Sequence, residues 1–152
     1  MSTFYGTNMT SIVSSPPSDG TKLDASQVGV KVRCFIEQVD LETNDIDDAD
    51  TVFVGQLPAN SRLLYIDIIA NGSSDLSAAD ASAGDGTDAD RFAALTDLPA
   101  AGKSVRLDAP AVSFAGSEVT AVTNVVLTID AADLPNASGD GFTAITYYAD
   151  LN

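Results

Sequence analysis

Residues 27–41 read QVGVKVRCFIEQVDL, and this stretch decides the fold class. Val28, Val30, Val32, Cys34 and Ile36 recur at alternate positions, while Lys31, Arg33 and Glu37 fall on or near the other side. Successive side chains of a strand point to opposite faces, so a period of two marks a strand and not a helix. The spacing predicts a β-strand with one apolar face. In that setting Cys34 is expected to be a small buried hydrophobe rather than a reactive thiol.

The same pattern continues outward from this strand. The acidic stretch ETNDIDDAD (42–50) reads as a loop, and TVFVGQLP (51–58) as a short strand ended by Pro58. SRLLYIDIIANG (61–72) is rich in β-branched and aromatic residues and closes on Asn71-Gly72, a preferred turn pair. Small residues dominate 73–104, where DADRFAAL (88–95) predicts at most a helical turn or two. SVRLDAPAVSF (104–114) resumes the alternation through Val105 and Leu107. EVTAVTNVVLTID (118–130) and GFTAITYYADL (141–151) read as an antiparallel pair joined by the turn-rich AADLPNASGDG (131–141). Six or seven strands without an amphipathic helix predict an all-β fold, an antiparallel β-sandwich or jelly-roll-like domain with little or no helix. The Ser-, Thr- and Pro-rich residues 1–24 are expected to form an extended N-terminal arm, and 25–152 a single β-sandwich domain.

Composition removes whole classes of activity. Twenty-two acids, nineteen of them Asp, oppose seven bases, for a net charge of −15. Nucleic-acid binding draws on counterion release by a basic surface, so no nucleic-acid partner is expected. Self-repulsion of this size is relieved where salt shortens the Debye length to about 3 Å at 1 M, which points to a marine or halophilic setting. The chain has no histidine, so the Ser-His and Cys-His nucleophile systems are excluded. Close carboxylate pairs arise by chance among so many Asp residues, and no enzyme activity is expected. One cysteine allows no intrachain disulfide, and zinc lacks its usual ligands. The longest apolar runs fall well short of the ~20 residues a membrane helix needs, and no secretory signal pattern opens the chain.

GDGTDADRF (84–92) is the most distinctive stretch. Asp85, Asp88 and Asp90 are its candidate cation ligands, but neither it nor DIDDAD (45–50) fits a known calcium-loop register, and no metal or cofactor is expected. A structural role is more economical. Gly84 and Gly86 would permit a bend with positive φ, and Asp88 or Asp90 would accept hydrogen bonds from loop amides. Arg91 would pair bidentately with one of them, and Phe92 would anchor the segment in the core.

The order of these pieces carries a resemblance. LPANSRLLYIDIIANG, then GDGTDADRF, a small-residue segment and NVVLTIDAADLPNASGDGFTAITYYADLN resemble head-decoration or cement proteins of tailed viruses over residues 26–152. The spacer LSAADASA and the acidic loop 42–50 depart from that pattern. The resemblance implies a β-sandwich or jelly-roll subunit, ending in a β-hairpin, that trimerises on the outer capsid surface of the virion. Its partner would be the major capsid protein, whose neighbouring subunits it would bridge. Two other readings compete: a capsid or tail spike or fibre domain that binds a host surface receptor or glycan, and a calcium-dependent adhesin or surface-layer domain.

Overall fold

The structure, a computed structural model, describes residues 31–108 and 118–151. The expected arm at 1–24 lies outside them, as do Val28 and Val30. Nine strands appear among the described residues: β1 (Lys31–Asp40), β2 (Thr51–Leu57), β3 (Ser61–Ala70), β4 (Asp80–Gly84), β5 (Ala93–Asp97), β6 (Ser104–Asp108), β7 (Glu118–Val119), β8 (Thr123–Asp130) and β9 (Gly141–Asp150). One sheet runs β1-β9-β3-β6, with the short β7 beside β3, and the other runs β2-β8-β4-β5. Every pairing is antiparallel. Without the two-residue β7, the strands follow the double Greek-key order of a jelly roll, successive strands changing sheet except from β4 to β5.

The core lies between the sheets. Leu63, Ile66 and Ile68 of β3 and Leu107 of β6 meet Val54, Leu57, Val125, Leu127 and Ile129 from β2 and β8, all essentially without solvent exposure. Two-residue periodicity puts Val125, Leu127 and Ile129 on one face of β8. Bulges between Leu63 and Tyr65 and between Phe53 and Gly55 shift the phase of β3 and β2, so that Leu63 and Ile66, and Val54 and Leu57, are buried together.

Two expectations from the sequence are corrected, and a region read as irregular holds strands. The stretch DADRFAAL, expected to form a helical turn or two at most, contains no helix, and its last three residues enter β5, which pairs with β4. Ala79, Ala81, Ala83 and Ala93 there are buried, so the small residues that weaken strand propensity are packed where the sheets leave little room. The two final strands form no hairpin, because β8 joins β2 and β4 while β9 joins β1 and β3. Their connection crosses the sandwich, since each strand buries its apolar face from the opposite side of the core. Finally, Cys34 is exposed and not buried. Val32 and Ile36 on the same face are 63% and 60% exposed, and it is the opposite face of β1, with Phe35 and Val39, that turns inward.

A buried polar contact ties the two sheets together. A bulge between Phe53 and Gly55 takes Val54 out of register with β8. The Thr146 hydroxyl of β9, itself fully buried, donates to the Val54 carbonyl at 2.8 Å. Gly55 makes room for it, since a Cβ there would lie 3.1 Å from Thr146 Oγ1. Thr146→Val keeps the shape and removes the donor, leaving the carbonyl buried without that partner. A loss of about 1–3 kcal/mol is expected in urea unfolding. An unchanged midpoint would show that the bond contributes nothing.

Candidate interaction surface

The loop 85–91 is closed on itself. Asp85 follows β4, and its Oδ1 accepts the amides of Thr87 and Asp88, both at 2.9 Å. Its Oδ2 accepts Arg91 Nη1 at 2.5 Å. The Asp85 amide donates to the Asp88 carbonyl at 3.1 Å, and the Phe92 amide to the Ala83 carbonyl at 2.9 Å. Among the described residues it is therefore Asp85, and not Asp88 or Asp90, that gathers the loop amides, and Arg91 meets it through one nitrogen rather than two. Gly86 has a φ of 84°, whereas Gly84 is not in the left-handed region. Phe92 is fully buried, and the Arg91 guanidinium sits 5.3 Å from its ring centre.

The Arg91 hydrogen bond, followed by the Asp88 amide, lowers the Asp85 pKa from 3.8 to about 2. Because the folded value is depressed, this contribution to stability is complete above pH ~4 and disappears as pH falls through about 2. Arg91→Ala is expected to destabilise the fold by about 1 kcal/mol at neutral pH, a partly exposed pair being worth far less than its full pKa shift. The gap between variant and wild type should close near pH 2 in acid unfolding curves. A pH-independent gap would assign the loss to packing instead.

Both Asp85 oxygens are thus engaged within the loop. No group of three or more acids or cysteines that could hold a metal ion occurs among the described residues. Elsewhere the acids repel one another. Desolvation, then Asp97 and Asp130 across the strands, raise the Asp80 pKa; Asp133, then Asp45, raise that of Asp47. These groups mark the margin of the β2-β8-β4-β5 sheet and the loops beside it as strongly acidic.

The outer face of the other sheet differs. Register aligns Cys34 with Tyr147 and Tyr147 with Tyr65, and Ile36 with Ile145 and Ile145 with Asp67. The result is an apolar strip across β1, β9 and β3. The Tyr65 and Tyr147 rings lie 4.6 Å apart, and the Arg106 guanidinium covers Tyr65 at 3.9 Å. Arg106 also binds both oxygens of Asp67, at 2.7 and 3.0 Å. In this strip the carboxylate that could disfavour contact is already neutralised. Among the described residues β1 pairs only with β9, so its other edge presents free backbone groups over ten residues. Sequence reasoning saw the Val32-Cys34-Ile36 alternation but took it for core. The usable signal is that β1 is apolar on both faces, Phe35 and Val39 supplying the second.

The chain is thus an all-β jelly-roll sandwich with an apolar strip across one outer sheet face. No family model matches the sequence, and no curated protein matches it. Solved structures share the architecture. A chain in the capsid of Ralstonia phage GP4 is similar with a TM-score of 0.57, at 18% identity, over 80% of this chain and 84% of that one. A chain in the cyanophage Pam1 capsid asymmetric unit is similar with a TM-score of 0.53, at 22% identity, over 81% and 85% respectively.

Proposed function

We propose that this chain is a structural protein of a tailed-phage virion that decorates the outside of an icosahedral capsid. It bridges and stabilises major capsid protein subunits, and it does so as a homotrimer with no catalytic step and no cofactor. The observation that carries this reading is an apolar strip on one sheet face, beside a ten-residue strand edge with no partner among the described residues, on a chain of net charge −15. Such a surface favours being covered, and such a charge favours the side of a shell away from packaged DNA. Two neighbours in fold come from phage capsids, which agrees with a place in the virion. The 84–92 loop then serves as architecture, with Gly84, Gly86, Arg91 and Phe92 shaping it.

The test is binding to shells that lack this protein. Purified chain added in high salt should sediment with them at hundreds of copies per particle and raise their resistance to heat. Failure to bind would overturn the proposal, and a few copies at vertices or tail would favour a spike.

A further inference from the structure

We propose that Asn71-Gly72, the turn that ends β3, is a site of spontaneous covalent modification, where the native fold leaves the asparagine open to deamidation through a succinimide. An asparagine or aspartate before glycine is prone to this cyclisation, because glycine lacks the Cβ that would hinder its own nitrogen in the attack. Three such pairs lie among the described residues: Asn71-Gly72, Asp85-Gly86 and Asp140-Gly141. The fold treats them differently.

Two of the three are held. Both Asp85 oxygens are taken, one by the Thr87 and Asp88 amides and the other by Arg91. The same bonds keep that carboxylate ionised, a form that does not react with an amide nitrogen. Asp140 is buried, and its oxygens accept Ser74 Oγ at 3.3 Å and the Ala137 amide at 3.0 Å. The Gly141 nitrogen is engaged as well, donating to Ser74 Oγ at 2.7 Å. Asn71 and Gly72, by contrast, are exposed. Neither the Asn71 side-chain amide nor the Gly72 N–H has a hydrogen-bond partner among the described residues. Nothing lies within 4 Å of a Cβ placed on Gly72, so the attacking nitrogen sits in open space.

In the reaction the Gly72 nitrogen gives its proton to solvent base and attacks Asn71 Cγ. The N–Cγ bond forms, the Cγ–Nδ2 bond breaks, and Nδ2 leaves as ammonia after taking a proton from water. A second water opens the imide at either carbonyl, giving an aspartate or a β-linked isoaspartate at position 71. Either product adds a carboxylate to the groove that Asn71 lines with Asp40, Glu42 and Asp140. The β-linked product also takes the Asn71 carbonyl out of the main chain. That carbonyl accepts the Ser74 and Gly102 amides, both at 3.1 Å, while the Asn71 amide donates to the Gly141 carbonyl at 3.0 Å. Ageing thus loosens the end of the sandwich where β3, β9 and the approach to β6 meet.

The test incubates the full-length chain, native and in urea, at mildly alkaline pH for the asparagine and mildly acidic pH for the two aspartates. Peptide mass spectrometry, with fragmentation that separates aspartate from isoaspartate, follows each pair. In urea all three should react. In the native chain Asn71 should be lost at a rate comparable with that in urea, while Asp85 and Asp140 stay intact, as do Asn44, Asn60, Asn124 and Asn136. Gly72→Ala should slow the loss by about tenfold, because the added methyl group shields its own nitrogen and restricts the backbone. Aged native chain should unfold at lower urea than Asn71→Asp, which adds the charge but keeps the normal main chain. An Asn71 as protected in the native chain as Asp85 and Asp140 would overturn the inference. So would acidic product arising mainly at another asparagine, or a Gly72→Ala rate equal to wild type. Equal urea midpoints for aged chain and Asn71→Asp would refute the loosening. Every readout is made on the isolated chain, so capsid binding has no part in the outcome.

Discussion

Gly84→Ala is expected to destabilise the protein by about 3 kcal/mol, at the upper end of what overpacking costs. A Cβ at this position would lie 1.9 Å from the Asp88 carbonyl oxygen and 2.6 Å from the Ala89 carbonyl carbon. These are backbone atoms, and they are held in place. The Asp88 carbonyl accepts the Asp85 amide, and Asp85 Oδ1 holds the Thr87 and Asp88 amides in return. The loop cannot retreat without losing those bonds, so the clash must be relieved by opening it. Gly72→Ala is the control. Nothing lies within 4 Å of the added carbon and φ is not left-handed, so a change within about 0.5 kcal/mol is expected. Urea midpoints at constant slope compare the two, and equal midpoints would refute the account of Gly84.

Phe92→Ala should cost about 3–5 kcal/mol, the range for emptying a fully buried aromatic site. Phe92 closes the loop at its far end, where its amide bonds the Ala83 carbonyl and its ring lies beneath Arg91. Its neighbours on β4 and β5 are alanines, which have little reach to fill the cavity. Phe92→Leu should lose less, because much of the volume remains. If Phe92→Ala proved as mild as a surface change, the loop would be an appendage to the core and not part of it. Together with Arg91→Ala, the two variants separate close approach, packing and ion pairing within nine residues.

The sandwich was legible because its evidence is local. The alternation in 31–41, the β-branched and aromatic residues of 61–70, the breaks at Pro58 and Gly72, and the absence of a 3.6-residue pattern all sit within short windows of sequence. β4 and β5 were not legible for an equally local reason. Their alanines are compatible with helix, strand or loop, and only sheet neighbours far along the chain decide between them. The loop 84–92 was half legible: bend, ion pair and buried aromatic follow from residue types, but which aspartate receives the arginine does not. Asp85, Asp88 and Asp90 are chemically identical, and the path of the backbone selects Asp85 by turning two amides toward it.

By itself, the sequence determined that the chain is built of strands, carries −15 of charge and lacks the side chains for nucleophilic catalysis by a histidine pair. These properties are sums or short-range periods, which need no knowledge of what lies across the sheet. Tertiary structure alone decided that β8 and β9 part company into different sheets and that β1 turns Phe35 inward and Cys34 outward. A strand apolar on both faces has two ways to bury one of them. The difference lies in partners on other strands, Phe53 of β2 against Phe35 and Tyr147 of β9 across from Cys34, which set the face the core receives and the face left for another molecule.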